Sequence, residues 1–356
     1  MPITSIRLIH IRSYESFTID LDPGVTAVLG QNGTGKTTLL EGLYFLTRGT
    51  SFRGRDRDMI AYEASIGELK IDFTDGSARS AKLLRESENK VSKQFKIEPT
   101  TTARLAQKNR LPVVLFEPDE LRLLTSSPQR RRDFIDGIIA RLSPTYSTVL
   151  SRFARTLLQR NELLKQYDTM SHNVWESHMF AWDVKLAELS ASIIKARRNF
   201  ISHSNNHLSR LYMELSNVSD TVTARYVSIF NQSEDSLQQA VLHKFEITRQ
   251  SDAIRGFTSL GPHRDDIDIL LNTHSASESA SRGEMRTIML AFKLLEVELQ
   301  FHHTDKKPLI LLDDVFSELD SSREQALMKS LSGYQTVITA TDLRDGLKTD
   351  ATIIEL

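Results

Sequence analysis

The first thirty residues alternate apolar and polar side chains in three runs, at 3–9, 17–21 and 25–29. A period of two puts every second side chain on one face, so each run predicts a half-buried β-strand. A glycine-rich turn follows, and the spacing over 37–47 becomes helical. Strand-like runs resume at 66–73 and 78–84, on either side of the turn pair Asp75-Gly76, and the apolar run at 111–116 predicts a buried strand. After Pro118 the apolar positions fall three and four apart over 128–142, 145–167, 173–215 and 235–250, with breaks at Pro144 and the polar stretch 168–173. Strand and turn signals return near Phe257, leading to a strand at 267–271, a long helix at 282–302 and an apolar run at 308–312 suited to the middle of a parallel sheet. This order predicts an α/β chain in two lobes. The first takes residues 1–116 and 255–356, and the second is a helical lobe or arm over 117–254.

Composition narrows the class. Hydrophobic residues make up 40% of the 356 and charged residues 26%, the balance of an ordinary globular chain. No run of eighteen apolar residues predicts a membrane span, and the first ten residues lack the basic-then-apolar order of a secretory signal. The absence of cysteine excludes disulfides and thiolate chemistry and fits a cytoplasmic setting. The net charge of -1 conceals an asymmetry, because residues 79–165 hold eighteen Lys and Arg against nine Asp and Glu. Such a basic middle is either a footprint for a polyanion or a set of solvated helix faces, and charge alone does not choose between them.

The chemistry begins at Gly30-Gln31-Asn32-Gly33-Thr34-Gly35-Lys36-Thr37, a full G-x-x-x-x-G-K-T phosphate loop between an apolar strand and a helix. Its glycines let backbone N–H groups turn toward phosphate oxygens, and the helix start, with Thr38 in its first turn, adds a positive dipole end. Lys36 is placed to reach the β- and γ-phosphates, and the Thr37 hydroxyl to ligate Mg²⁺. Far along the chain, the apolar run 309–312 ends in Asp313-Asp314. A Mg²⁺-nucleotide site needs an acidic group at a strand tip, the role expected of Asp313, and Asp314 could act on the attacking water as general base.

Two further motifs resemble those of ABC ATPases. Ser317 and Asp320, in Phe316-Ser317-Glu318-Leu319-Asp320, look like a D-loop; Ser281-Arg282-Gly283-Glu284 resembles the signature that one subunit lends to the nucleotide of another. Taken alone, the latter is also a capping box, with Ser at the N-cap and Glu three residues on.

The spacing of these motifs makes the resemblance specific. About 245 residues separate phosphate loop and signature, more than in transporter subunits, yet without the long coiled coil of SMC-type proteins. Together with Leu8–Tyr14, Phe116-Glu117-Pro118-Asp119, residues 127–133, Gly261-Pro262-His263-Arg264-Asp265-Asp266 and residues 311–320, this pattern is similar to that of the RecF family of bacterial recombination mediators. The resemblance implies a P-loop ATPase head of ABC type with ATP and Mg²⁺ as cofactors. It implies an ATP-dependent homodimer on duplex DNA and single-strand/duplex junctions, with RecR and RecO as partners and RecA served indirectly, in the bacterial cytoplasm. It also implies slow hydrolysis: Asp314 stands where most ABC ATPases have Glu, Arg282 and Glu284 fill positions usually held by Gln, and Thr341 sits near the place of the missing switch histidine.

DNA-contact candidates are Arg53, Arg55 and Arg57, the loop-like Lys90, Lys93 and Lys96, and the helical Arg130, Arg131, Arg132, Arg152, Arg155 and Arg160. Arg131 and Arg132 have a competing role as ion-pair partners of Asp133 or Asp136. Two rivals stay open at this level. One is an ATPase subunit of an SMC-like nuclease or defence complex, and the other a nucleotide-binding regulator that binds protein.

Overall fold

The computed structural model describes residues 2–88, 90–342 and 351–356. The alternating N-terminal pattern folds into β1 (Ile3–Ile11) and β2 (Tyr14–Asp20), and β3 (Val25–Leu29) leads into α1 (Lys36–Arg48). Next come β4 (Ile66–Phe73), β5 (Ala78–Ser87), β6 (Lys90–Ile97), β7 (Thr100–Thr102) and β8 (Val113–Phe116). The helical stretch holds α2 (Pro128–Leu142), α3 (Pro144–Leu164), α4 (His172–Asn205) and α5 (Leu208–Ser216), then β9 (Val222–Val227) and α6 (Glu234–Arg255). The return comprises β10 (Asp266–Leu271), β11 (His274–Ser275), α7 (Ala276–Ser279), α8 (Arg282–Thr304), β12 (Leu309–Asp313), α9 (Ser321–Ser330), β13 (Thr336–Ala340) and β14 (Thr352–Glu355).

These elements form two units. The first comprises Met1–Leu121, Glu214–Ser216 and Phe292–Leu356. It contains a six-stranded sheet, β2-β1-β4-β5-β6-β7, and a five-stranded sheet, β14-β3-β13-β12-β8. The larger sheet is antiparallel and the smaller wholly parallel. The apolar runs of β8 and β12 are buried at nearly every position, as strands covered on both faces must be. Helix α1 joins both sheets to one core: its Leu39, Leu40 and Leu43 cluster with Leu8 of β1, Leu69 of β4, Val113 of β8 and Leu311 of β12. That burial holds the phosphate loop, at the start of α1, firmly against the parallel sheet.

The second unit, Arg122–Met213 and Asn217–Ala291, is mostly helical but carries a three-stranded sheet, β11-β10-β9. It differs from the expected arm in two ways. Residues 255–291 group with the helices, because β10 pairs with β9 over six positions and Ser259 donates to Asp252 of α6. The expected helix over 173–215 is two helices, broken where Asn206 and His207 bond back to His203 and Ser204. At the centre of this unit Arg160, fully buried, donates to Asp183, Asp252 and Thr258. A buried cation of this kind needs such partners to offset its lost hydration.

Candidate nucleotide site

The phosphate loop turns on two glycines at positive φ, Gly33 at 91° and Gly35 at 101°. Gly35 is also hemmed in, since a Cβ there would lie 2.6 Å from the Tyr14 ring. At Gly35 the cradle thus has room for backbone alone, the condition for N–H groups to approach phosphate oxygens. Gly33 instead opens on free space and is required by its φ. Lys36 donates to the Gly30 carbonyl at 2.5 Å and the Gln31 carbonyl at 2.8 Å, and the Thr34 hydroxyl donates to Gln31 at 3.0 Å.

Strand order brings the acidic pair to this loop. β13 lies between β3 and β12, with Thr339 level with both Val28 and Asp313. The Thr339 hydroxyl donates to Asp313 Oδ1 at 2.8 Å, and the Thr37 hydroxyl donates to the same oxygen at 2.9 Å. Two hard oxygen donors, Thr37 and Asp313, therefore meet although 276 residues separate them. That donor set fits Mg²⁺, which takes oxygen ligands from a hydroxyl and a carboxylate beside substrate phosphates. Asp314 holds a left-handed backbone, φ 50°, and its N–H donates to the Thr339 carbonyl at 3.0 Å. A cavity of about 280 Å³ joins these groups, lined among others by Asn32, Lys36, Thr37, Arg53, Asp313 and Asp314. Thr38, by contrast with the exposed loop tip, is buried in α1, although it too borders the cavity.

The D-loop candidates are held locally. Ser317 donates to the Asp314 carbonyl at 2.7 Å, while Asp320 caps α9, accepting from the Arg323 N–H at 2.9 Å. That N–H bond, with the Arg323 guanidinium, keeps the Asp320 carboxyl below the usual range. In the second unit, Ser281 and Glu284 form a reciprocal capping box. The Ser281 N–H donates to Glu284 Oε2 at 2.7 Å, and the Glu284 N–H to the Ser281 hydroxyl at 3.3 Å. Among the described residues the Ser281 hydroxyl serves the cap as acceptor only, which leaves its O–H proton for another oxygen. Ser281 and Arg282 are exposed, and the Gly283 carbonyl accepts from Thr287.

The model of the RecF/RecN/SMC N terminal domain matches residues 2–347. The DNA replication and repair protein RecF of Exiguobacterium sp. is 33% identical over 98% of this chain and 94% of its own length. That of Heliobacterium modesticaldum is 34% identical over 96% and 93%. The chain belongs to the RecF family. A solved structure described as the recombination mediator RecF bound to ATP, in the RecFOR pathway, superposes with a TM-score of 0.83 at 28% identity, covering 97% of this chain and 93% of that one. An Smc head domain from Pyrococcus furiosus, at 19% identity and a TM-score of 0.51, shares the fold. The fold is that of an α/β ABC-type ATPase head.

Within this RecF-family chain the basic candidates divide sharply. Arg53, Arg55, Arg130, Arg152 and Arg155 are exposed, and among the described residues no ion pair holds them. Arg53 also borders the nucleotide cavity. Arg57 reaches the Glu88 carbonyl at 3.3 Å and Asp58 at 3.4 Å. Lys90, Lys93 and Lys96 lie on strand β6 rather than in a loop; their three-residue spacing hid the alternation. Lys93 donates to Asp56 at 2.6 Å and to the Gly49 carbonyl, and Lys90 and Lys96 pair with Glu86 and Glu98. Arg160 is the buried hub already described. Arg131 grips Asp266 through Nε and Nη2, and Arg132 donates to the Asp265 carbonyl, so their partners are these and not Asp133 or Asp136.

The Gly261–Asp266 motif is a packing knot of the second unit. Pro262 accepts from Arg197, Asp265 accepts from Tyr226, and Arg264 stacks 5.1 Å over the Phe257 ring. His263 shares a hydrogen bond with the Thr258 carbonyl, and burial pushes its imidazole down to about 4. In the sequence Glu117 stands only as part of the Phe116-Glu117-Pro118-Asp119 motif, which assigns it no role. Burial, reinforced by Glu120, lifts the Glu117 carboxyl at the end of β8 to about 7. Its place, just past the tip of the strand that neighbours the acidic one, is set by the β8–β12 pairing and not by the motif.

Proposed function

We propose that this chain is an ATP-dependent, DNA-binding recombination mediator that dimerises on DNA when Mg-ATP binds and lets go after slow hydrolysis. The observation that carries this reading is the Thr37–Asp313 hydrogen bond, which joins phosphate loop and acidic strand in one cavity. The loop amides and Lys36 bind the β- and γ-phosphates, Lys36 exchanging its carbonyl partners for phosphate oxygens. Thr37 and Asp313 would hold Mg²⁺, which would supply charge neutralisation for those oxygens. Asp314 orients a water whose oxygen attacks the γ-phosphorus; the bond to the β–γ bridging oxygen breaks and the water proton passes to the carboxylate. With one methylene fewer than Glu, Asp314 holds that water less closely, which makes a slow timer rather than a fast motor. Ser281, Arg282 and Gly283 contact the γ-phosphate held by a second copy, through the free Ser281 proton and the N-terminus of α8. Arg53, Arg55, Arg130, Arg152 and Arg155 supply contacts to the duplex backbone, without reading sequence.

The solved RecF–ATP relative supports ATP as the nucleotide, and its place in the RecFOR pathway supports RecO and RecR as partners. Loading of RecA at single-strand gaps is the role this reading adds. The test is retention of gapped duplex DNA with Mg-ATP across a salt series. Five phosphate contacts, one for each of these exposed arginines, predict a loss of roughly five-hundredfold in affinity between about 50 and 200 mM salt. The double variant Arg152→Ala/Arg155→Ala should weaken binding equally for all sequences. DNA affinity that ignores both salt and nucleotide would contradict the proposal.

A further inference from the structure

Glu41 lies in the second turn of α1, has no exposed surface, and faces away from any solvent that could hydrate its charge. Three bonds converge on its carboxylate. Arg12 donates from Nε at 2.9 Å and from Nη2 at 2.7 Å, and the Ser51 hydroxyl donates at 2.5 Å. Each donor belongs to a segment that ends at the nucleotide cavity. Arg12, held at a left-handed φ of 52°, opens the turn that presents Ser13 to the cavity and sets Tyr14 against Gly35. Ser51 accepts the Arg53 N–H at 3.0 Å, and Arg53 borders the cavity on the loop after α1. One buried carboxylate on the phosphate-loop helix therefore ties down both flanking segments.

We infer that Glu41 is the positioning residue for nucleotide binding, fixing Ser13 through Arg12 and Arg53 through Ser51. This rests on the nucleotide site proposed above. A carboxylate kept only to pair with the half-buried Arg12 has no need of the Ser51 branch. The Ser51 hydroxyl donates to the carboxylate and at the same time accepts the Arg53 N–H, so it carries the restraint two residues further along the chain. The Arg12–Glu41 pair is charge-assisted and bidentate, so it holds direction as well as distance. The Arg12 guanidinium is accordingly held above its ordinary range, chiefly by the bond to Glu41.

Because the walls touch ATP equally in ground and transition states, loosening them raises KM and leaves kcat nearly unchanged. Glu41→Gln keeps the shape and removes the charge. It is expected to raise the KM for ATP by about tenfold with kcat altered by less than about twofold. Ser51→Ala, which frees the Arg53 segment alone, should give a smaller rise, and Arg53→Ala in the Ser51→Ala background should add nothing further. Thermal melts run beside the kinetics. A drop in Tm with KM unchanged, or losses from Ser51→Ala and Arg53→Ala that simply add, would overturn the inference. Should Glu41→Gln fail to fold, the Ser51/Arg53 cycle decides the matter by itself. Wild-type protein that does not bind Mg-ATP would instead remove the nucleotide site itself.

Discussion

Gly35 is where backbone geometry and chemistry meet most tightly. Its φ of 101° and the Tyr14 ring at 2.6 Å from a hypothetical Cβ leave no room for a side chain. A left-handed backbone costs an L-residue about 1–2 kcal/mol, and the clash adds to that. Gly35→Ala is expected to lower the melting temperature and abolish binding of a fluorescent ATP analogue. A variant that melts and binds like the wild type would show that the cradle tolerates a side chain. His263 makes the pH prediction. Its folded imidazole titrates near 4 rather than 6.5, because it is buried, with Arg264 and Arg132 adding to the effect. Between those values the unfolded chain takes up a proton that the folded chain refuses. The stabilisation is thus complete above about pH 6.5 and is lost as pH falls toward 4. Urea midpoints should fall over this window, and His263→Gln should flatten the slope; an unchanged slope would put the dependence elsewhere.

At the scale of elements, the start of α8 carries two roles that substitution can separate. Ser281→Ala removes the cap, costing about 1 kcal/mol, and also removes the hydroxyl proposed to meet a second copy's phosphate. Glu284→Gln keeps an acceptor for the Ser281 N–H, so the helix should melt as in the wild type. Ser281→Ala should therefore abolish ATP-driven association, whereas Glu284→Gln should retain it. Equal behaviour of the two in a concentration series would mean that the motif is a cap alone. The elements also show what could be read in advance. The phosphate loop, α1 and β12 were legible because their chemistry sits in contiguous residues. Their meeting was not, since the Thr37–Asp313 bond depends on β13 entering between β3 and β12, a pairing that no local pattern encodes. Strand β9 left a fainter trace: Val222, Ala224 and Tyr226 alternate with Thr223 and Arg225, but six residues among long helices are easily absorbed into their spacing. Charge counting misled at Arg160 and Lys93, because the sequence does not tell a buried, paired cation from a solvated one.

Over the whole molecule, the proposed assembly requires that association and DNA binding stand or fall together. The signature lies some 245 residues from the phosphate loop along one chain. In the proposed assembly each ATP is completed by a second copy, so nucleotide affinity and dimerisation are reciprocally linked. DNA held by both copies then adds to the stability of the closed form, and hydrolysis removes the contacts that favour it. The decisive measurement is sedimentation velocity of the chain with Mg-ATP, with and without duplex DNA, for wild type and Lys36→Met. A dimer that forms only with ATP, retains DNA, and is lost in Lys36→Met is the predicted result. A monomer indifferent to nucleotide and DNA would contradict it.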